Sequence, residues 1–146
     1  MDETPASFFA EPIDVRYTFD SVSEKRTIKK IVRLTETSQP DIFNLALLDL
    51  LDDGSESDLS VTDNGDLRTV LATVMRIIDN FLTKFPQTIV TFRGSDDRRT
   101  RLYRIVIGRE LDAIQRRYRI FGEYPDGQLE PFKSNADYRR FIIQLK

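Results

Sequence analysis

The chain contains no cysteine and no histidine. Disulfides, thiolate nucleophiles, imidazole general bases and every Cys/His zinc site are thereby excluded. Any chemistry would have to come from carboxylates, Tyr, Lys, Arg or hydroxyls. Long apolar runs are also missing. The longest, Ile42 to Leu51, is interrupted by Asn44 and Asp49 and falls far short of the roughly 20 residues of a membrane span. The start, Met1-Asp2-Glu3-Thr4-Pro5, is acidic and lacks the basic and apolar regions of a secretory signal. Asp2 excludes N-myristoylation, and Gln144-Leu145-Lys146 offers no cysteine for a prenyl group. These absences place the expected location in the cytosol, with no membrane partner, no metal and no cofactor.

What is present fits one globular domain: 146 residues, 40% hydrophobic and 32% charged, with formal net charge -2. A chain of this length buries roughly 70% of its unfolded surface and needs no covalent or metal staple. Residues 1–12, with Pro5 and Pro12 and no period, read as a loose tail before a domain over 13–146. From Ile13 the pattern alternates, with Ile13, Val15, Tyr17 and Phe19 on one face and Asp14, Arg16, Thr18 and Asp20 on the other, a half-buried strand. A second strand over Arg26 to Thr35 places Ile28, Val32 and Leu34 in one phase, and the short link Ser21 to Lys25 suits a hairpin.

The segment Phe43 to Leu51 admits two readings. Its Leu and Ala, with Asp41 as a cap, favour a helix; its shortness and near-continuous apolarity suit a buried central strand, the preferred assignment. Asp52 to Gly65 is a long acidic loop ending in the turn Asp63-Asn64-Gly65. Asp66 to Phe85 then places Leu67, Val70, Leu71, Val74, Ile77, Ile78, Phe81, Leu82 and Phe85 on one helical stripe, and Pro86 stops the helix. A strand over Thr88 to Arg93 breaks at Gly94-Ser95. A second helix over about 96–115 follows, with Ser95 as its cap, Asp96 and Asp97 at its positive end, and Leu102, Tyr103, Val106, Ala113 and Ile114 inward. Arg117 to Glu123 reads as a strand, Pro125-Asp126-Gly127 as a turn, Asn135 as the start of a short helix and Phe141 to Leu145 as a last strand. The layout predicts the α+β class, a mixed and mostly antiparallel sheet with the helices at 66–85 and 96–115 packed on one face.

The small net charge conceals segregation. Residues 36–66 hold nine acids and no Lys or Arg, whereas residues 91–120 hold nine arginines against four acids. Internal neutralisation, with the acidic loop lying near the arginines, is the plain reading; a docking surface is the functional one.

The stretches Gly65-Asp66-x-x-x-Val70-Leu71-Ala72-Thr73-Val74 and Gly94-Ser95, followed by Arg99-Thr100-Arg101-Leu102-Tyr103, together with Tyr17-Thr18-Phe19-Asp20-Ser21 and Asn44-Leu45-Ala46, carry a resemblance. They resemble a family of small bacterial single-domain proteins of unknown function, over nearly the whole chain. The resemblance implies a strand for residues 43–51 and supplies no catalytic residues. Asp96 departs from the family, which usually has Thr there, and a carboxylate weakens the idea of a hydroxyl-lined anion pocket.

The strand–Gly94–Ser95–helix junction points backbone N–H groups outward, as phosphate-binding helix starts do, but it lacks the glycine spacing and lysine of a Walker loop. An ordinary capped helix start is the simpler account. Ser95, Arg98, Arg99, Arg101 and Arg104 are the candidate binding residues, with Arg116 extending the basic surface and no catalytic residue assigned. Asp49 interrupts the most apolar segment, and a buried carboxylate needs a cation; Arg99 is the expected partner. Asp58, Asp63 and Asp66 do not match an EF-hand, and a solvated loop is the preferred account of them. A non-enzymatic module docking a protein partner, or a second copy of itself, is favoured. Nucleic acid is the weaker partner expectation, and a histidine-free, toxin-like ribonuclease is the alternative. In that alternative Arg99 and Arg101 hold the phosphate while Tyr103 or Glu110 moves protons.

Overall fold

The fold was described from a computed structural model, which describes residues 14–24, 26–57 and 67–146. Strand β1 (Asp14–Val22) forms an antiparallel hairpin with β2 (Thr27–Glu36), and β2 pairs antiparallel with β3 (Ile42–Leu50). Residues 43–50 are therefore strand rather than helix. A two-residue strand β4 (Glu56–Ser57) returns onto the end of β3. Helix α1 (Leu67–Lys84) then carries the chain to β5 (Ile89–Phe92), which lies parallel to β3. After α2 (Asp97–Arg109) and α3 (Leu111–Gln115) come β6 (Tyr118–Glu123), β7 (Leu129–Pro131) and β8 (Arg140–Leu145). The sheet order is β1-β2-β3-β5-β8-β6-β7, with β4 beside β3. Every pairing is antiparallel except β3 with β5. This is the mixed, mostly antiparallel α+β sheet that the pattern of strands and helices predicts.

Register places one apolar row across the strands. Leu34 lies opposite Leu45, Leu45 beside Phe92, and Phe92 opposite Phe141. The helical stripe of α1 packs on this row: Val70, Val74, Ile78, Phe81 and Leu82 join Val32, Phe43, Val90 and Ile143 in one buried cluster, with Phe43 and Phe81 meeting edge to face at 5.0 Å. Tyr17 on β1 donates to Asn80 Oδ1 of α1 at 2.9 Å, so the alternating face of β1 turns to the helices as its pattern requires. On β6, a Cβ at Gly122 would lie 2.3 Å from the Tyr138 ring, so the aromatic occupies the place of a side chain there. Among the described residues no helix is long and apolar enough to cross a membrane.

Several expectations need correction. The helix expected over 96–115 is two helices: the Glu110 N–H is shared between the carbonyls of Val106 at 3.1 Å and Ile107 at 3.2 Å, and the chain restarts from there. Gly108, a weak helix former, precedes the break. The α2 cap is Asp96, not Ser95: Asp96 is extended and its Oδ1 accepts the Arg99 N–H at 2.8 Å. No helix starts at Asn135, which takes a left-handed conformation (φ 69°) in a loop held by side chains. There Tyr138 donates to Glu130 at 2.7 Å and accepts from the Lys133 N–H at 3.1 Å. Strands β4 and β7 are too short to leave a period. The tail 1–12, the turn at Asp63-Asn64-Gly65 and the acids Asp58, Asp63 and Asp66 lie outside the described residues.

The largest correction concerns Asp49. It is buried on the helix-facing side, and Lys30, directly opposite on β2, places Nζ 2.6 Å from its Oδ1 with both side chains 2% exposed. Arg99, the partner expected from sequence, instead reaches Asp96 Oδ2 at 2.8 Å. A lysine in phase with Ile28, Val32 and Leu34 reaches the aspartate without leaving the sheet, whereas Arg99 belongs to a helix.

Removing one member takes from a buried charge its counter-ion on the neighbouring strand. Asp49→Ala and Lys30→Ala should each cost about 3–5 kcal/mol. The double variant should lose clearly less than their sum. Urea denaturation of the four proteins measures the coupling, and additive losses would refute the pairing.

Candidate binding surface

Helix α2 has two kinds of arginine. Arg98, Arg101 and Arg109 are exposed on the outward face, and Ile105, 38% exposed, lies among them. At 3.6 residues per turn these four positions form one stripe opposite the buried residues Thr100, Tyr103 and Ile107. None of the three arginines makes an ion pair among the described residues. The other arginines are spent locally. Arg99 closes on Asp96, and Arg104, with its side chain 15% exposed, donates to the Ala136 carbonyl at 2.7 Å and to Asp137 at 2.8 Å. Of the predicted basic residues the structure therefore presents Arg98 and Arg101, together with the unpredicted Arg109, and withdraws Arg99 and Arg104. Arg116 is exposed beyond α3.

The two proton-moving candidates of the ribonuclease alternative sit in different surroundings. Tyr103 is buried and Glu110 is exposed and paired with Arg68 at 3.3 Å. They stand seven positions apart along the chain, about 10 Å of helical rise.

At the start of α2 the sheet opens. On the edge of β3 away from β2, β5 pairs as far as Leu45 and β4 begins at Asp49. Between them, among the described residues, no strand covers Ala46 to Leu48, and a crevice of about 230 Å³ lies there. Asn44, Leu45, Ala46, Leu47, Arg93, Gly94, Ser95, Tyr103 and Arg140 line it. Gly94 makes this geometry possible. A Cβ there would lie 2.5 Å from the Thr100 nitrogen, and the Gly94 N–H donates to Thr100 Oγ1 at 2.9 Å, so the strand end rests on the first turn of α2. Ser95 thus belongs to the crevice rather than to the cap. The sequence reading missed Asn44, Arg93 and Arg140 because they come from three different strands or strand ends.

A second cavity, about 530 Å³ and mostly apolar, runs between α1 and the α2–α3 pair. Leu71, Met75, Val106, Ile107 and Ala113 line it, together with Tyr103 and Tyr118. Ala113, expected inward, is exposed along this groove. Two ion pairs connect α1 to the other side, Arg68 with Glu110 at 3.3 Å and Arg117 with Asp79 at 3.1 Å, and Tyr118 also donates to Asp79. The acidic stretch is only partly visible. Asp52 and Asp53 are exposed, while Glu56 joins Arg16 at 2.5 Å and Arg33 at 3.2 Å, and Arg33 also holds Asp14.

Sheet, packed helices and a basic outer helix face define a small α+β protein with a polar crevice at the edge of β3. The chain belongs to a family of unknown function (DUF6934), whose model matches residues 5–146. Neither the curated proteins nor the solved structures compared with it gave a match.

Two outcomes follow from this geometry. Gly94→Ala should destabilise by about 1–3 kcal/mol, because backbone must move to admit the methyl group; an unchanged thermal midpoint would contradict the close contact. All five tyrosines titrate above the ordinary value of 10.0. Burial raises Tyr17, Tyr103 and Tyr118, the last also through its bond to Asp79. The bond to Glu130 raises Tyr124, and burial followed by Glu130 pushes Tyr138 up to about 12. Folded values above unfolded ones mean that the neutral hydroxyls favour the fold. Their stabilisation is complete below pH about 10 and is lost as pH rises through the folded values. At pH 10 the folded protein should show far less than half of its tyrosinate absorbance, and the remainder should appear as circular dichroism is lost.

Proposed function

We propose that this protein is a non-enzymatic, cytosolic binding module that docks an acidic protein surface on the outer face of α2. The observation that carries the reading is the stripe of Arg98, Arg101 and Arg109 around the exposed Ile105, with none of the three guanidiniums neutralised among the described residues. Arginine forks match carboxylates two bonds at a time. A half-exposed isoleucine between them supplies the apolar centre that a charged rim alone lacks. The exposed Asp52 and Asp53 carry the opposite sign, so a second copy of the chain is one partner of suitable chemistry. Segregated charge of this kind sets encounter rate and orientation more than affinity.

The test compares the wild type with the triple variant R98E/R101E/R109E. These side chains make no ion pair among the described residues, so the variant should keep the wild-type thermal midpoint. A fluorescent glutamate-rich peptide should bind the wild type in a salt-dependent way, and the triple variant at least about tenfold more weakly. Sedimentation velocity at low and moderate salt reports self-association through the same face. An RNA oligomer of matched charge bound in preference to the peptide would replace this reading with the nucleic-acid alternative. Binding that survives the triple reversal would remove α2 from it.

A further inference from the structure

Beneath the proposed docking face, and independent of it, the crevice between β3 and the end of β5 has the composition of a ligand site. Among the described residues its two charged side chains are Arg93 and Arg140, and no carboxylate of theirs lines it. Arg93 is exposed and makes no ion pair among the described residues. Arg140 has an incomplete partner. Its Nε lies 3.8 Å from Glu123 Oε2, and that same oxygen already serves Arg139 Nε at 3.1 Å. The Arg140 Nε is buried and has no hydrogen-bond partner. Buried donors are almost always satisfied; Arg33 Nε and Arg104 Nε share this state elsewhere, and what sets Arg140 apart is that it lines the crevice.

Tyr103 brings a second donor to the crevice. The residue is 5% exposed, lines the crevice, and its hydroxyl donates to no described residue. Burial raises its pKa, so it remains a neutral donor at physiological pH. Ser95 and Asn44 add a hydroxyl and a side-chain amide. A volume of about 230 Å³ is several times that of one water molecule.

We propose that this crevice binds the oxyanion group of a small molecule, a phosphate or a carboxylate, between Arg93 and Arg140, with Tyr103 donating a further hydrogen bond. The start of α2 is not the binding element, since Asp96 already caps it. The apolar side chains of Leu45, Ala46 and Leu47 would flank a short carbon substituent.

Thermal unfolding in low-millimolar inorganic phosphate, and separately in succinate, tests the proposal, with ionic strength held constant by sodium chloride. The variants are Arg93→Ala, which removes an exposed side chain, and Tyr103→Phe, which keeps the ring and deletes the hydroxyl. The wild-type midpoint should rise by about 3 °C or more in one of the two anions. Arg93→Ala and Tyr103→Phe should unfold near the wild-type midpoint without anion and lose most of the rise. A rise in phosphate alone assigns a phosphate group, in succinate alone a carboxylate, and in both the chemistry they share. A wild-type midpoint that neither anion moves would overturn the site. So would a rise that persists in Arg93→Ala, which would be a solvent effect on the whole protein.

Discussion

The buried pair Lys30–Asp49 fixes the sheet. The two residues face each other directly across β2 and β3, on the side the helices cover. Slipping either strand by one residue would turn its whole apolar row outward and leave one charge buried without the other. Apolar matching alone tolerates some imprecision, because one leucine accepts another. A lysine and an aspartate in low dielectric do not. β3 in turn positions everything beyond it, since β2 lies on one edge and both β4 and β5 lie on the other.

That shared edge creates the crevice. β5 has only four residues and β4 only two, so they cannot cover the far side of a nine-residue strand between them. The chain leaves β5 through Gly94, resting on α2, and exposes side chains from β3, from the end of β5 and from the start of β8 to one volume. The arginine stripe and the crevice thus share an origin, because the packing of Gly94 on Thr100 seats α2 with one face on the sheet and the other towards solvent.

Where a period was long, the sequence was legible. The alternation of β1 and the stripe of α1 each predict their element and its inward face, except that Phe85 lies past the helix end at Lys84 and is exposed. Even the partner of Asp49 was signalled, because Lys30 shares the phase of Ile28, Val32 and Leu34, and Asp49 that of Phe43, Leu45 and Leu47. The in-phase lysine was a stronger clue than the arginines of a separate helix. What stayed hidden leaves no period in the sequence. The break at Glu110 turns on one shared N–H, and the loop around Asn135 on Tyr138 and Arg104 reaching across it. The crevice draws on residues nearly 100 positions apart, from Asn44 to Arg140, which no local pattern connects.

The place of β8 bears on how the chain is made. It is the last strand in sequence, yet it lies inside the sheet, antiparallel to β5 on one side and to β6 on the other. A growing polypeptide therefore produces both flanking strands before the one that joins them. Until β8 emerges, β5 and β6 each present an open row of backbone donors and acceptors, the kind of edge that recruits foreign strands. Folding of the two halves must wait on synthesis, and the hazard lasts as long as the interval between β6 and β8.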